Sequence, residues 1–132
     1  MSAQDTIIVI GAAHAGGRVV QAARGAGFDG RILLVGEESY EPYERPPLSK
    51  DLLEGEGGHE RVRLHDPSYF GEQRIELRLG ARATRIDPAT RQVWIDGRAE
   101  SYDRLVLTTG ARVRALPLPG ADLGGVHYLR TL

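Results

Sequence analysis

The sequence predicts an α/β fold in which a mainly parallel sheet contains one crossover made by antiparallel strands instead of a helix. Two apolar, β-branched runs, residues 7–10 and 31–35, have the composition of strands buried on both faces of a parallel sheet. A glycine-rich turn and a helix-forming segment lie between these runs, which gives the order strand, helix, strand. After Gly80 the apolar residues alternate with polar ones, as they do in antiparallel strands.

The first strand leads directly into a glycine-rich turn that contains Gly11, Ala13 and Gly16. This spacing differs at one position from the dinucleotide fingerprint G-x-G-x-x-G, because Ala13 stands where the pattern has glycine. Residues 18–24 are predicted to form a helix, whose free N–H groups and positive dipole end suit a pyrophosphate. We favour dinucleotide binding over a turn that binds nothing, since the strand and the helix that the motif requires are both present.

An acidic pair follows the second predicted strand, near the expected separation of about 20 residues from the glycine-rich turn. A carboxylate at this strand end can hold the hydroxyl groups of a ribose. We therefore predict that Glu37 binds ribose, with Glu38 as the candidate if the turn is offset by one residue. The alternative is a solvated acidic residue at the start of a loop.

A proline-rich stretch, P-Y-E-R-P-P-L-S-K, covers residues 42–50 and predicts an extended segment that enters a short helix. Arg45 and Lys50 lie on either side of the helix start and in isolation would be solvated cations. Asp66 followed by Pro67 predicts the N-cap and first turn of another short helix.

The second half of the chain is predicted to be rich in short strands. A third strand over residues 75–79 precedes an antiparallel meander with strands at 82–86, 92–95 and 99–102, in which Asp96-Gly97 is a hairpin signal. Residues 104–108 return as a buried strand, and the turn at Thr109-Gly110 should face the same crevice as Gly11. Residues 126–129 are predicted to form a last short strand.

The composition describes one globular domain over residues 1–132, with 41% hydrophobic and 27% charged residues. The net charge of -1 is evenly distributed, so we expect no nucleic-acid or membrane surface. No apolar run approaches the length of a membrane span, which is about 20 residues, and the first residues do not resemble a signal peptide, so we expect a cytoplasmic protein.

The chain has no cysteine, so any redox chemistry must belong to a bound cofactor. The histidines show no metal-ligand spacing, and no metal site is predicted.

The ordered set of glycine-rich turn, P-Y-E-R-P-P-L-S-K and L-V-L-T-T-G-A-R (residues 105–112) resembles the N-terminal part of one flavoprotein family. It is similar to the FAD-dependent ferredoxin and rubredoxin reductases of the glutathione-reductase-like group, from Ile7 to Leu132. The resemblance implies a Rossmann-like FAD-binding domain in a parent enzyme that passes electrons from NAD(P)H through FAD to a ferredoxin- or rubredoxin-type carrier.

The resemblance also implies roles for individual residues. Lys50 would act in catalysis beside the reactive edge of the isoalloxazine, where a cation could stabilise reduced flavin. Glu37 would hold the adenosine ribose, and Ala83 would contact the adenine through its backbone. The residues implied at the pyrophosphate are Gly11, Ala13, His14, Ala15 and Gly16. Those implied along the rest of the cofactor channel are Arg45, Pro46, Thr109, Gly110, Ala111 and, near the flavin, Arg130, with Arg112 at the rim.

Members of the family continue with an NAD(P)H-binding domain, a segment that completes the FAD domain, and a C-terminal interface domain. The resemblance therefore implies that this chain is an incomplete FAD domain that is inactive alone, with an open sheet edge at which a second copy could pair.

Two alternative functions stay open. One is a non-catalytic module that binds ADP or NAD, which Ala13 favours. The other is an NAD-dependent Rossmann enzyme, against which the meander and the proline-rich stretch argue.

Overall fold

The computed structural model describes residues 5–55 and 57–132. In chain order the elements are β1 (Thr6–Ile10), α1 (His14–Gly25), β2 (Arg31–Val35), α2 (Tyr69–Glu72), β3 (Ile75–Arg78), β4 (Ala83–Asp87), β5 (Gln92–Ile95), β6 (Arg98–Ser101) and β7 (Arg104–Leu107). Two 3₁₀ turns, Pro46–Ser49 and His59–Val62, lie between β2 and α2. None of the described helices is long and apolar enough to cross a membrane.

Four parallel strands form the central sheet in the order β3-β2-β1-β7. Strand β1 pairs with β2 on one side and with β7 on the other, so the two longest apolar runs lie at the centre. Side chains on both faces of β1 and β2 are buried, which is why these strands show continuous apolar runs instead of alternation. The predicted parallel sheet is confirmed.

The two faces of the sheet are covered by different elements. Ile7 and Val9 of β1 pack with Val20 of α1 in one core cluster. Ile8 and Ile10 point to the opposite face, because successive side chains of a strand alternate, and they pack in a second cluster with the meander. The sheet is thus the middle layer of three.

The meander of β4, β5 and β6 is antiparallel and forms a separate three-stranded sheet. Asp96 and Gly97 have φ angles of 48° and 79°, as the predicted two-residue hairpin turn requires. Val93 and Ile95 of β5 are buried against the central sheet. A crossover made by strands therefore covers this face, as the sequence predicted.

Helix α1 begins at His14, earlier than the predicted start at residue 18. Gly16 and Gly17 lie in its first turns and are buried, although glycine is a poor helix former. A Cβ on Gly17 would lie 2.5 Å from Leu64 Cδ2 and 2.9 Å from Pro42 Cβ. Close packing therefore overrides helix propensity here, and it explains why the helix includes residues before the predicted segment 18–24.

Two further local predictions differ from the structure. Helix α2 has Ser68 as its N-cap residue instead of Asp66, whose Oδ1 accepts hydrogen bonds from the Ser68 N–H and hydroxyl at 3.1 Å each. Residues 126–129 form no strand, and residues 111–132 contain no helix or strand. The Tyr128 hydroxyl instead accepts a hydrogen bond from the N–H of Leu116 at 2.9 Å, which joins two irregular stretches of this segment.

Candidate functional site

A crevice of about 590 Å³ opens beyond the carboxyl ends of β1, β2 and β7. Ligands of open α/β sheets bind in this position, and small-molecule sites typically have volumes of about 300–1,000 Å³. The lining comes from distant parts of the chain, namely residues 10–13, 35–38, 81–83 and 108–112, together with Arg45, Arg130 and Thr131.

The glycine-rich turn forms the floor of the crevice, and its shape requires glycine at two positions. Gly11 has a φ of 115°, and a Cβ there would overlap the backbone carbonyl of Thr108. A Cβ on Gly16 would overlap the carbonyl oxygen of Gly11. The turn is held from β7, because the Thr108 hydroxyl donates a hydrogen bond to the carbonyl oxygen of Gly11 at 2.9 Å. Sequence reasoning missed this role of Thr108, although it placed the end of this strand beside the crevice. The prediction that the strand is buried was wrong, because β7 is an outer strand of the described sheet and its side chains are half-buried or exposed.

Ala13 fits the turn without backbone strain. Its φ of -109° and ψ of -161° are extended values that any residue adopts, so the structure of the turn does not require glycine at this position. Ala13 lines the crevice, and its methyl group therefore matters only for how closely a ligand approaches. His14 and Ala15 begin helix α1 and are exposed.

The N-terminus of α1 is available to an anion. Ala13 as N-cap residue makes no side-chain capping hydrogen bond, and the first turn carries no acidic side chain. The first N–H groups of a helix have no acceptor within the helix, and the dipole adds partial positive charge at the same place. Together with the glycine-enforced tight turn, these features fit the pyrophosphate of a dinucleotide.

A second part of the crevice brings together the residues predicted for adenosine. The N–H of Ala81 donates to the carbonyl oxygen of Gly36 at 2.9 Å, so the chain before β4 lies beside the end of β2. Glu37 and Ala83 both line this part. Glu37 Oε1 lies 3.4 Å from Arg82 Nη1, and the two side chains are 70% and 59% exposed. Such an exposed pair is weak, so the Glu37 carboxylate can accept hydrogen bonds from a ligand.

Glu38 has different surroundings, since both of its carboxylate oxygens are bound by the protein. The Tyr43 hydroxyl donates to Oε2 at 2.5 Å, and Arg45 Nη2 donates to Oε1 at 2.6 Å. Burial, together with the hydrogen bond to Glu38, raises the pKa of Tyr43 to about 12, so the phenol keeps its proton as a donor. Of the two adjacent acids, Glu37 is therefore the one whose carboxylate is open to the crevice.

A third part of the crevice is lined by cations. Arg45 Nη1 donates to the carbonyl oxygen of Arg130, which holds the last residues of the chain against the proline-rich stretch. The Arg130 side chain lies against the turn after β7, where a Cβ on Gly110 would be 3.0 Å from Arg130 Nη2. The predicted residues Thr109, Gly110, Ala111 and Arg112 line the same part.

Lys50 lies outside this arrangement. It follows the 3₁₀ turn Pro46–Ser49, is exposed, and is not part of the crevice lining. Pro46 lines a smaller neighbouring cavity of about 260 Å³ that also includes Arg45 and Arg130. The catalytic role of Lys50 stays a prediction that the geometry of the described residues does not support directly.

No group of three or more His, Cys, Asp or Glu side chains in residues 5–55 and 57–132 is arranged to hold a metal ion. The crevice offers backbone N–H groups and guanidinium groups as hydrogen-bond donors and one open carboxylate as an acceptor. This combination suits a nucleotide, which has phosphate oxygens to accept and ribose hydroxyls to donate.

Known proteins share this arrangement of sequence and fold. A family model described as pyridine nucleotide-disulphide oxidoreductase matches residues 5–132. Rhodocoxin reductase from Rhodococcus erythropolis is 48% identical over 127 residues, which are 96% of this chain and 30% of that protein. The crystal structure of a ferredoxin reductase from Rhodopseudomonas palustris aligns with a TM-score of 0.89 and 42% identity, covering 97% of this chain and 32% of that one. A covalent complex of putidaredoxin reductase with putidaredoxin contains a chain with a TM-score of 0.84 and 41% identity, covering 88% of this chain and 28% of that one.

Proposed function

The chain belongs to the pyridine nucleotide-disulphide oxidoreductase family, and on that premise we propose that it is the FAD-binding part of an NAD(P)H-dependent reductase for a ferredoxin- or rubredoxin-type carrier. The observation that carries the proposal is the uncapped N-terminus of α1 beside a glycine-enforced turn at the floor of the crevice. The names of the relatives support the class of electron acceptor.

Each part of the crevice has a role in this proposal. The N–H groups at the start of α1 bind the pyrophosphate, with Gly11 and Gly16 allowing the close turn. Glu37 accepts hydrogen bonds from the adenosine ribose. Arg130 supplies positive charge beside the turn at Gly110. Bound FAD supplies the redox chemistry, since it can accept a hydride and release electrons singly.

The chain spans about 30% of the length of the curated relatives that it matches. We therefore propose that nicotinamide binding and carrier docking involve the remainder of such a reductase, and that the 132-residue chain by itself does not turn over. Efficient NAD(P)H oxidation by this chain supplied with FAD would contradict that part of the proposal.

In the described part of the chain β7 is an outer strand of the sheet, and a second copy pairing there would give a homodimer that sedimentation can detect.

A calorimetric titration with FAD, ADP and NAD⁺ tests the proposal. We expect saturable FAD binding that is tighter than ADP binding, because ADP lacks the flavin half of the dinucleotide and would make fewer contacts with the crevice. Ala13→Gly should tighten FAD binding by about threefold to tenfold, since removing the methyl group lets the pyrophosphate approach the backbone. The matched control is Ala89→Gly, an exposed alanine in the β4–β5 turn, which should leave the affinity unchanged.

Equal affinities for FAD and ADP, or preference for NAD⁺, would favour the non-catalytic nucleotide-binding module instead. Two features favour this second function. Glu37 is open to a ligand, and Lys50 lies outside the crevice. No binding of any of the three ligands to the wild type or to Ala13→Gly would contradict both functions.

A further inference from the structure

The hairpin turn between β5 and β6 holds a stretch of chain that lines the crevice. The N–H of Asp96 donates to the carbonyl oxygen of Arg82 at 3.1 Å, and the N–H of Arg82 donates to Asp96 Oδ1 at 2.9 Å. A regular antiparallel pair exchanges both hydrogen bonds between backbone groups, whereas here a side-chain oxygen accepts the second one. Both backbone polar groups of Arg82 are therefore held by one residue of the turn.

The chain between β3 and β4 is fixed from two sides. Its first half is attached to the end of β2, because the N–H of Ala81 donates to the carbonyl oxygen of Gly36 at 2.9 Å. Its second half is attached to the meander through Asp96. The pairing that follows is irregular, since the register of β4 with β5 shifts between Ala83 and Arg85. The side chain of Asp96 therefore supports this stretch where the regular ladder is interrupted.

Arg82 lies between the two groups that were predicted to bind adenosine. Its Nη1 lies 3.4 Å from Glu37 Oε1, and Ala83 is the next residue of the chain. Arg82, Ala83 and Glu37 all line the crevice. A shift of the Arg82 backbone would therefore move both the partner of the Glu37 carboxylate and the backbone of Ala83.

We propose that Asp96 is a positioning residue for the adenosine half of the dinucleotide. Its carboxylate holds the N–H of Arg82, and the fixed backbone of Arg82 keeps Ala83 in place beside Glu37. Asp96 is outside the lining of the crevice in the described part of the chain, so it acts through Arg82 and not by contact with the ligand. This inference rests on the dinucleotide binding proposed above.

Two substitutions separate the hydrogen bond from the turn that carries it. Asp96 has a φ of 48°, in the left-handed region that Asn and Gly also adopt in two-residue hairpin turns. Asp96→Gly therefore keeps the turn and removes the side-chain acceptor, whereas Asp96→Asn keeps the turn and an oxygen that can accept from Arg82. The matched control is Asp87→Gly at the other end of β4, because Asp87 Oδ1 also accepts from backbone N–H groups, at 3.0 and 3.3 Å.

Calorimetric titration of these variants with ADP and with FAD tests the proposal. We expect Asp96→Gly to weaken ADP binding by about threefold to tenfold, the size of effect that one hydrogen bond has, and FAD binding by the same factor, because both ligands carry the adenosine. Asp96→Asn and Asp87→Gly should each stay within about twofold of the wild type. Unchanged ADP affinity in Asp96→Gly, or an equal loss in Asp96→Asn or in Asp87→Gly, would overturn the proposal.

A second measurement needs no ligand. Backbone NMR relaxation of residues 81–83 is compared in the wild type, Asp96→Gly and Asp96→Asn, and we expect increased fast motion in Asp96→Gly only. Unchanged motion in that variant would also overturn the proposal. If the wild type binds neither ADP nor FAD, the function proposed above fails, and the relaxation result then decides alone whether Asp96 fixes this wall of the crevice.

Discussion

Glu37 and Glu38 show how strongly neighbouring residues can differ in what they offer a ligand. They have the same side chain and follow the same strand, yet the Glu37 side chain is 70% exposed beside Arg82, whereas the Glu38 carboxylate is bound by Tyr43 and Arg45. The difference arises because the proline-rich stretch packs against only one side of the end of β2. The role of each acid is therefore set by tertiary contacts, and the proposal gives ribose binding to Glu37 and internal anchoring to Glu38.

The matched substitutions Glu37→Gln and Glu38→Gln test this division of roles. Glu37→Gln should weaken ADP binding by up to about tenfold, because an uncharged amide accepts ribose hydrogen bonds less strongly than a carboxylate does. Glu38→Gln should leave ADP affinity within about twofold and lower the free energy of unfolding by about 1–3 kcal/mol, since Arg45 loses its charged partner. Calorimetry with ADP and urea unfolding measure both effects. If Glu38→Gln were the variant that weakens ADP binding, the two assignments would have to be exchanged.

At the residue scale the sequence brings many of the predicted cofactor residues to one place but does not predict individual contacts. Gly11, Ala13, Glu37, Ala83 and the turn at residues 109–111 were predicted beside the cofactor, in part from the family resemblance, and they line one crevice, whereas Lys50 and Pro46 lie outside its lining. The choice between Glu37 and Glu38 could not be made from spacing, because it depends on a hydrogen bond that Tyr43 makes across a loop. The support that Thr108 gives to the glycine-rich turn was missed for the same reason, since the partners are far apart in sequence.

The meander is the element that distinguishes this sheet from a simple doubly wound one. Its strand β5 buries Val93 and Ile95 against the face of the sheet opposite α1. Arg31 of β2 adds a polar link, because it pairs with Glu76 of β3 at 2.8 Å and with Glu100 of β6 at 3.2 Å. The residues before β4 also line the crevice beside Glu37, so packing of the meander and shape of the crevice are connected.

A pair of conservative substitutions measures how much the meander contributes to stability. Ile95 of β5 is 1% exposed, and Ile86 of β4 is 37% exposed. Ile95→Val should lower the free energy of unfolding by about 0.5–1.5 kcal/mol, because it leaves a small cavity between the two sheets. Ile86→Val should change it by less than about 0.5 kcal/mol, since no buried space is created. Equal effects in urea unfolding would mean that the meander does not pack on the central sheet as described.

The elements were predicted most reliably where local signals and packing agree. The Asp96-Gly97 hairpin and the buried runs of β1 and β2 have unambiguous patterns, and they formed as predicted. The start of α1 was predicted too late because two buried glycines form part of the helix for packing reasons. The strand predicted at residues 126–129 has suitable residues, but a strand forms only where a neighbouring strand is available for hydrogen bonding, and this segment lies in the irregular stretch after β7.

As a whole, the molecule is a three-layer domain whose crevice lies beyond the carboxyl ends of the parallel strands. The crevice collects the glycine-rich turn, the end of β2, the start of the meander and the turn after β7, all brought together by the parallel arrangement of the strands. Leu107, Leu116, Leu118 and Leu129 remain exposed along β7 and the segment after it. We propose that dinucleotide binding takes place within this chain and that the remaining steps of electron transfer belong to a larger reductase of the kind its relatives represent.

The most direct test of this account is an NMR titration of the isotope-labelled chain with FAD, in which changes in amide chemical shift are mapped onto the sequence. We predict that the largest changes fall at the glycine-rich turn and the start of α1, residues 11–16, and in residues 36–38, 81–83 and 108–111, which border the crevice. Little change is expected at residues 88–91, the turn between β4 and β5 at the far end of the meander. Shifts that leave residues 11–16 unaffected, or that concentrate outside these four segments, would contradict the claim that the glycine-rich turn of this chain holds the dinucleotide.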